Sequence, residues 1–517
     1  MGSVNIEQLN QALPGGWAST TLGEVQWDKS AAIIPNKMPD TRFELYSVPS
    51  FDSDHPEIVL GQEIGSNKQI VNEDTVLLCK INPRINRVWI VGNYSPLTKI
   101  ASTEWIPFDK LEGLVPEYLC YYMQMDTFRD FLSMHASGVG GSLMRIKPTT
   151  FASYPFPFAP FNEQRRIVDA IETQFTRLDA GVSGLKQIQA KLKRYRAAVL
   201  KAAVEGALTE DWRAQHPDVE PAPVLLQRIL HERRAAWEQA ELAKYAKAGK
   251  TPPKGWQNNY KESANLDATN LPSLPDSWRW STVEQLLIQP ASNGLSIKGS
   301  NEPPGTPALR LSAMSDTGFD YADRRYIPIS ETAATPLAIQ AGDYFVSRGN
   351  GSIRLVGRGT LAQEPPEVIV FPDTMIRLRL SKLKPLRRFV NILWSTRWVR
   401  SQIEQKARTT AGIYKISQAD IDSFTLPLPP LDEQEQIVTE VERRLSVVTE
   451  IEAQIAAELK RAERLRQAIL KQAFSGQLVP QDPDDEPASA LLQRIRASKN
   501  GRASTAAGPD AVQLQFA

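Results

Sequence analysis

The strongest constraint on this chain is that it is written twice. Leu13-Pro14-Gly15-Gly16-Trp17 is answered by Leu274-Pro275-Asp276-Ser277-Trp278, 261 residues later. Asn162-Glu163-Gln164-Arg165-Arg166-Ile167-Val168 is answered by Asp432-Glu433-Gln434-Glu435-Gln436-Ile437-Val438, now 270 residues later. The offset of 270 then holds without a gap: Leu200-Lys201 falls on Leu470-Lys471, and Gly206-Ala207-Leu208 on Gly476-Gln477-Leu478. It also reaches backward, where Arg145-Ile146 meets Lys415-Ile416, and a third echo sets Leu225-Leu226-Gln227-Arg228-Ile229 against Leu491-Leu492-Gln493-Arg494-Ile495. Self-similarity of this kind constrains architecture before any local propensity does. Between the Trp and Glu-Gln signatures the copies differ in length by nine residues (270 against 261) and share little sequence. Each copy therefore joins a preserved frame to a diverged insert.

The frame reads as long helices. Ile167, Ile171, Phe175, Leu178, Val182, Leu185, Ile188, Leu192, Tyr195 and Val199 step by three or four, as do Ile437, Val441, Leu445, Val448, Ile451, Ile455, Leu459, Ala462, Leu465 and Ile469. That is an apolar stripe close to heptad spacing. Asn162 and Asp432 follow Pro-rich turns and are expected as N-caps, while Gly206 and Gly476 stand where a glycine would end each helix. One such stripe would mark an oligomerisation coil equally well. Two equal stripes in one chain point instead to a pair packed antiparallel within the molecule.

Composition narrows the function. The 517 residues exceed one ordinary core, and 42% hydrophobic content with 11 Trp excludes global disorder. Two cysteines, Cys79 and Cys120, with four His make neither a disulfide framework nor a zinc cluster. No run reaches about 18 apolar residues and no signal peptide opens the chain, so a cytoplasmic protein without a membrane span is expected. The formal charge is +1, from 60 Lys and Arg against 59 Asp and Glu, but it is unevenly spread. Asp343 to Lys415 holds fourteen basic and five acidic residues, a net +9, whereas Val76 to Phe151 is nearly balanced.

The inserts carry strand-like runs at 75–80, 88–91, 343–347 and 368–371, followed by helical stretches at 117–134 and 385–406. Two loops recur in each. The first spans Lys80, Arg84, Asn86 and Arg87 in one copy, and Arg348, Asn350, Ser352 and Arg354 in the other. The second holds Ser137, Gly140, Ser142 and Arg145, against Arg408, Thr409, Thr410, Tyr414 and Lys415. Arg matched to guanine and Asn matched to adenine are the side chains that read base edges in the major groove. Ordinary hairpin turns with solvated charges would look the same residue by residue; recurrence at matching places in both copies favours the loops as sites. Enzymatic readings fail: Asn82-Pro83-Arg84 lacks the second proline of an adenine-aminomethylating loop, and no glycine cluster has the setting of a phosphate or dinucleotide loop. No catalytic residue, metal ligand or cofactor site is expected in this chain.

Three features together resemble the specificity subunits of type I DNA restriction–modification enzymes. They are the Leu-Pro-x-x-Trp that opens each half, the Pro-rich turn into Asn/Asp-Glu-Gln-x-x-Ile-Val, and Ala198 to Gly206 with its twin Ala468 to Gly476. The resemblance implies an α+β fold in which two mixed α/β target-recognition domains are joined by two long antiparallel α-helices, an intramolecular coiled coil with a pseudo-twofold internal repeat. The expected division is 1–160 and 271–430 for the recognition domains and 161–246 and 431–497 for helical spacer regions. A linker at 247–270 and a disordered tail at 498–517 complete it. Ile167, Ile171, Phe175, Leu178, Leu185 and Leu192, with Ile437, Val441, Leu445, Val448, Ile455 and Leu459, would form the spacer and partner-facing stripe. The implied partners are double-stranded DNA, two methylation subunits that bind S-adenosylmethionine, and restriction subunits that use ATP and Mg. The implied setting is the bacterial or archaeal cytoplasm. The competing expectations are a coiled-coil adaptor with two protein-binding heads, and a cryptic methyltransferase.

Overall fold

A computed structural model describes residues 13–25, 30–138, 144–410 and 412–505, with the backbone alone at 410 and 498–505. The chain divides into two compact units, one of Met1–Lys186 with Ala456–Ala517, the other of Gln187–Ile455. Both mix helix and strand. Each long helix is shared between the units.

The principal helices are α1 (Pro116–Met123), α2 (Asp126–Met134), α3 (Phe161–Glu205), α4 (Ala222–Lys247), α5 (Lys384–Trp394), α6 (Arg397–Lys406), α7 (Leu431–Phe474) and α8 (Ala488–Thr505). The two apolar stripes fold as α3 and α7, of 45 and 44 residues. Both start two residues earlier than the cap expectation: the first amide bonds run from Gln164 to the Pro160 carbonyl and from Gln434 to the Pro430 carbonyl, each 2.9 Å. Asn162 and Asp432 thus sit in the first turn, where Glu163, Asp432 and Glu433 place negative charge against the helix dipole. The C-terminal expectation holds, since Gly206 and Gly476 adopt φ of 77° and 69°, the left-handed conformation that ends a helix. The helical stretch of each insert is broken in two. At the second break Thr396 caps α6 by accepting the Val399 amide. The tail beyond Ser498, expected to lack structure, continues α8 to Thr505.

In the first unit β1 (Ala18–Thr21), β2 (Val76–Cys79), β3 (Val88–Ile90), β4 (Trp105–Phe108) and β5 (Pro155–Phe158) form two small antiparallel sheets, β1–β5 and β3–β2–β4. A five-stranded sheet, ordered Ala32–Ile33, Lys68–Ile70, Thr98–Ser102, Arg42–Tyr46, Glu57–Leu60, completes the strands of the insert. The second unit holds β6 (Arg279–Thr282), β7 (Leu287–Asn293), β8 (Tyr344–Ser347), β9 (Gly349–Asn350), β10 (Gly359–Leu361), β11 (Met375–Leu380), β12 (Arg408–Thr410), β13 (Ile413–Lys415) and β14 (Thr425–Leu428). They pair as β6–β14, β7–β11–β8–β10 and β9–β13–β12. The run 368–371 is no strand: Val370 makes only an isolated bridge to Ala308, although Ile369, Val370 and Phe371 are buried. Its backbone bonds go singly to separate segments, Ile339 donating to Ile369, Leu309 to Val370 and Leu295 to Phe371, rather than along one partner strand.

Each unit has one main core, built from both repeats. In the first, Ile167, Ile171 and Phe175 of α3 meet Ile469, Leu470 and Phe474 of α7 and Leu491, Leu492 and Ile495 of α8. In the second, Ile437, Val438 and Val441 of α7 meet Val199 and Leu200 of α3 and Leu225, Leu226 and Ile229 of α4. The beginning of one long helix thus packs with the end of the other inside either unit. Away from these cores the stripe thins. Val448 and Ile455 are buried and Leu178, Leu185, Leu192, Leu445 and Leu459 half-buried, but Ile188, Tyr195 and Leu465 are exposed at 44%, 45% and 49%. A two-helix pair covers only the central seam of a stripe, so flanking positions stay open.

The segment 247–270 is docked. Trp256 stacks on Trp237 of α4 with ring centroids 5.7 Å apart, Tyr260 lies against the same ring at 5.3 Å, and the Gln285 amide donates to the Ala264 carbonyl at 3.2 Å.

Candidate nucleic-acid interface

The repeated signature residues meet around one buried carboxylate in each unit. In the first, the Trp17 indole donates to Glu163 at 2.9 Å, and the Gln481 amide donates to Glu163 at 3.2 Å and to the Gly476 carbonyl at 2.7 Å. In the second, the Trp278 indole donates to Glu433 at 2.8 Å and Thr209 donates at 2.7 Å. There Arg213 pairs with Glu433 at 2.7 Å and donates to the Gly206 carbonyl at 2.8 Å. The Trp that opens an insert, the Glu that starts one long helix and the Gly that ends the other are thereby tied together. The two carboxylates differ in one respect: Glu433 has a cation and Glu163 has neutral donors. Burial accordingly pushes the Glu163 carboxyl above the usual carboxylate range, against the pull of the Gln481 and Trp17 hydrogen bonds. Gln164 and Gln434 bond the carbonyls of Ala159 and Pro429 at 2.9 and 2.8 Å, so they hold the turn into the helix. These clamps fix where each insert leaves the frame.

Upon that frame the two expected loops of each insert come together. In the first unit the Ile146 amide donates to the Lys80 carbonyl at 3.0 Å and the Asn82 amide to Met144 at 2.9 Å, while Ser137 and Arg145 exchange two bonds of 2.9 Å. In the second, the Ile416 amide donates to the Arg348 carbonyl at 3.0 Å, Gly349 and Asn350 pair with Lys415 and Tyr414, and Lys415 and Tyr414 pair with Arg408 and Thr409. The same hydrogen-bonding plan serves both, with Ile81 at the place of Gly349 and Ser137 at that of Arg408. The diverged inserts therefore keep one geometry where the candidate residues lie.

The side chains are placed as follows. Arg84 is exposed in the short 3-10 turn Pro83–Ile85, and Lys80 and Arg87 are half-buried, Arg87 beside the Cys79 thiol. Asn86 is committed to the fold, its amide donating to the Met123 carbonyl at 2.8 Å from a left-handed backbone. Ser137 is exposed; Arg145 is half-exposed and pairs with Glu104 at 2.9 Å. Gly140 and Ser142 lie outside the described residues. In the second unit Arg354, Arg408, Thr409 and Lys415 are exposed, while Arg348, Asn350, Ser352 and Tyr414 are half-buried. Asn350 accepts the Ser352 amide at 3.1 Å, closing its own turn. Thr410 is described only as backbone, at the end of β12.

Pairing decides where the basic excess of the second insert acts. Arg358, Arg379, Arg388, Arg397 and Arg400 lie 2.9, 2.7, 3.2, 2.9 and 3.1 Å from Asp316, Asp343, Glu435, Glu404 and Glu404. Among the described residues Arg348, Arg354, Arg408 and Lys415 have no carboxylate at ion-pair distance. These four cations lie on the β9–β13–β12 ribbon and the loop beside it, while the exposed Lys382, Lys384 and Lys406, also without an ion pair among the described residues, lie elsewhere in the insert. Cations free of carboxylates suit a surface for phosphates and base edges. No group of three His, Cys, Asp or Glu among the described residues is placed to hold a metal ion.

Sequence reasoning missed the residues behind the loops. Arg400 of α6 donates to the carbonyls of Ile353 and Val356 at 2.5 and 2.8 Å, and the Trp394 indole of α5 to Gly357 at 2.9 Å. Nothing in spacing marks such contacts, which join residues about forty apart.

Comparison with known proteins agrees with this arrangement. The family model described as the type I restriction modification DNA specificity domain matches residues 367–461. The chain is 28% identical to the type I restriction enzyme EcoKI specificity subunit of Escherichia coli (strain K12), over 94% of its own length and 96% of the relative's. It is 27% identical to the StySPI specificity subunit of Salmonella potsdam over the same shares, 94% and 96%. A chain solved in work on assembly and conformational transition of the type I R-M system superposes with a TM-score of 0.56 at 20% identity, over 90% of this chain and 99% of that one, which shows the fold.

Proposed function

The chain belongs to the specificity subunits of type I restriction–modification enzymes, and from that premise we propose that it reads a two-part, asymmetric DNA target, each unit reading one half. It is the DNA-recognising subunit and does no chemistry of its own. What carries the two-part reading is the loop pair: both inserts, otherwise diverged, bring the same two loops together by the same backbone bonds. Two readers of one geometry and different side chains suit a split target whose halves differ. A protein-binding adaptor gives no reason for the unpaired cations on the loops.

The chain docks methylation subunits, which bind S-adenosylmethionine and modify adenine, and restriction subunits, which use ATP and Mg, in the cytoplasm. With a net charge of +1 it relies on those partners for much of the phosphate affinity and supplies base contacts itself. No helix among the described residues is long and apolar enough to cross a membrane.

The deciding experiment is base-resolution mapping of methylated adenines in a host that carries the chain with its methylation partner. A split motif with a fixed gap is expected. A continuous palindrome, or no methylation, overturns the reading.

A further inference from the structure

The first loop of the second unit, 349–358, is not held by its own turn alone. It is seated on the α5–α6 corner. A Cβ on Gly357, whose φ is 73°, would stand 2.7 Å from Ile403, and one on Gly359 would stand 2.4 Å from Trp394, so the backbone lies directly on the helices. Ser347 fixes the return of the loop, donating to the Leu355 carbonyl at 2.7 Å and accepting the Arg358 amide at 3.1 Å. The middle of the loop has one anchor. The Arg400 guanidinium donates to Ile353, Arg354 and Val356 carbonyls at 2.5, 3.4 and 2.8 Å, and Glu404 holds it from behind at 3.1 Å. The guanidinium holds five donors in a rigid fork, enough to span these carbonyls and Glu404 at once, where an ammonium has three. The exposed residue at the centre of this grip is Arg354, which has no carboxylate partner among the described residues.

Among the described residues of the first unit no side chain grips the loop in this way. Its loop is fixed by the left-handed Asn82 and Asn86 and by the Asn86 bond to Met123. Arg129 of α2 pairs instead with Asp126 and Asp130, at 2.9 and 3.5 Å.

We propose that Arg400 is a positioning residue for specificity: held by Glu404, it sets the loop that carries Ser352 and Arg354 and so determines the fidelity of one half of the target only. This rests on the two-part reading above. A contact to a base edge discriminates by about 1–3 kcal/mol, of which about 1.4 kcal/mol is already ten-fold, and only if its donor is held in place.

The test uses the chain in complex with its methylation partner and the same mapping of methylated adenines, with recovery of the assembled complex as the folding control. Arg400→Gln is expected to raise methylation about ten-fold at sites carrying one mismatch in one half of the motif, and to leave the other half unchanged. Arg400→Lys should recover part of the discrimination. Arg397→Gln should behave as wild type, since Arg397 shares Glu404 at 2.9 Å but makes no bond to the loop. Equal relaxation of both halves, unchanged discrimination in Arg400→Gln, or the same effect from Arg397→Gln overturns the proposal. Should Arg400→Gln fail to assemble, Arg400→Lys decides: full discrimination in both halves overturns it. A wild-type chain without a split motif refutes the two-part reading instead, and is recognised before any variant is made.

Discussion

The two buried glutamates occupy the same place in the repeat, yet neutralising them should have different effects. Glu433 is fully buried and its Arg213 partner only 19% exposed, with 2.7 Å between them. Replacing Glu433 with Gln keeps an acceptor for Trp278 and Thr209 but strands a guanidinium in the protein. Breaking a buried pair from one side costs about 3–5 kcal/mol. Arg213 keeps its bonds to the Gly206 carbonyl and some water, so about 2–4 kcal/mol is expected. Glu163, 1% exposed, receives neutral donors from Trp17 and Gln481, and burial already opposes its charge. Glu163→Gln should therefore change stability by no more than about 1 kcal/mol. In a unit of this size about 3 kcal/mol moves a thermal midpoint by roughly 6–10 °C. Tryptophan emission on heating follows both sites, because Trp17 and Trp278 touch the two carboxylates. Combining Arg213→Met with Glu433→Gln should recover much of the loss, since no stranded charge is left. Equal losses at Glu163 and Glu433, or strict additivity of the Arg213 and Glu433 changes, would refute the reasoning.

Burial, reinforced by Glu284 and opposed by Arg233, pushes the Asp422 carboxyl up to about 6. The folded chain then holds a proton that the unfolded chain releases near 4, so stability falls as pH rises between about 4 and 6. Asp422→Asn should flatten that slope and add about 1 kcal/mol at pH 7, after discount for partial exposure; a melting curve series across pH checks it. Gly476→Ala should cost about 2 kcal/mol by denaturant titration, since φ is 69° and a Cβ would stand 2.1 Å from Pro14. Trp256→Ala should release the docked segment by removing its stack on Trp237, making 247–270 the first site of limited proteolysis; an unchanged digestion pattern refutes the latch.

The frame was legible in the sequence to within a residue or two. Heptad spacing gave α3 and α7, and Gly206 and Gly476 their ends, because periodicity and left-handed glycines are local signals. The expectation of caps at Asn162 and Asp432 erred by two residues, since Pro160 and Pro430 supply the first accepting carbonyls. Local signals also misread 368–371, where the composition is that of a strand but the backbone bonds go to several separate segments. In the inserts, the two loops were found by their recurrence. Which side chains remain free for a ligand was not: Asn86 and Arg145 are engaged within the protein, while Arg348, Arg354, Arg408 and Lys415 are unpaired.

By itself, the sequence determined the duplication and the helical frame, because these rest on order and spacing along the chain. The tertiary structure alone decided that each unit is completed by helix ends from both repeats, with Trp17, Glu163 and Gly476 in one and Trp278, Glu433 and Gly206 in the other. It alone set Arg400 behind a loop some 47 residues earlier. Such partners are chosen by packing and by the need to satisfy buried polar groups. Neither leaves a period in the sequence.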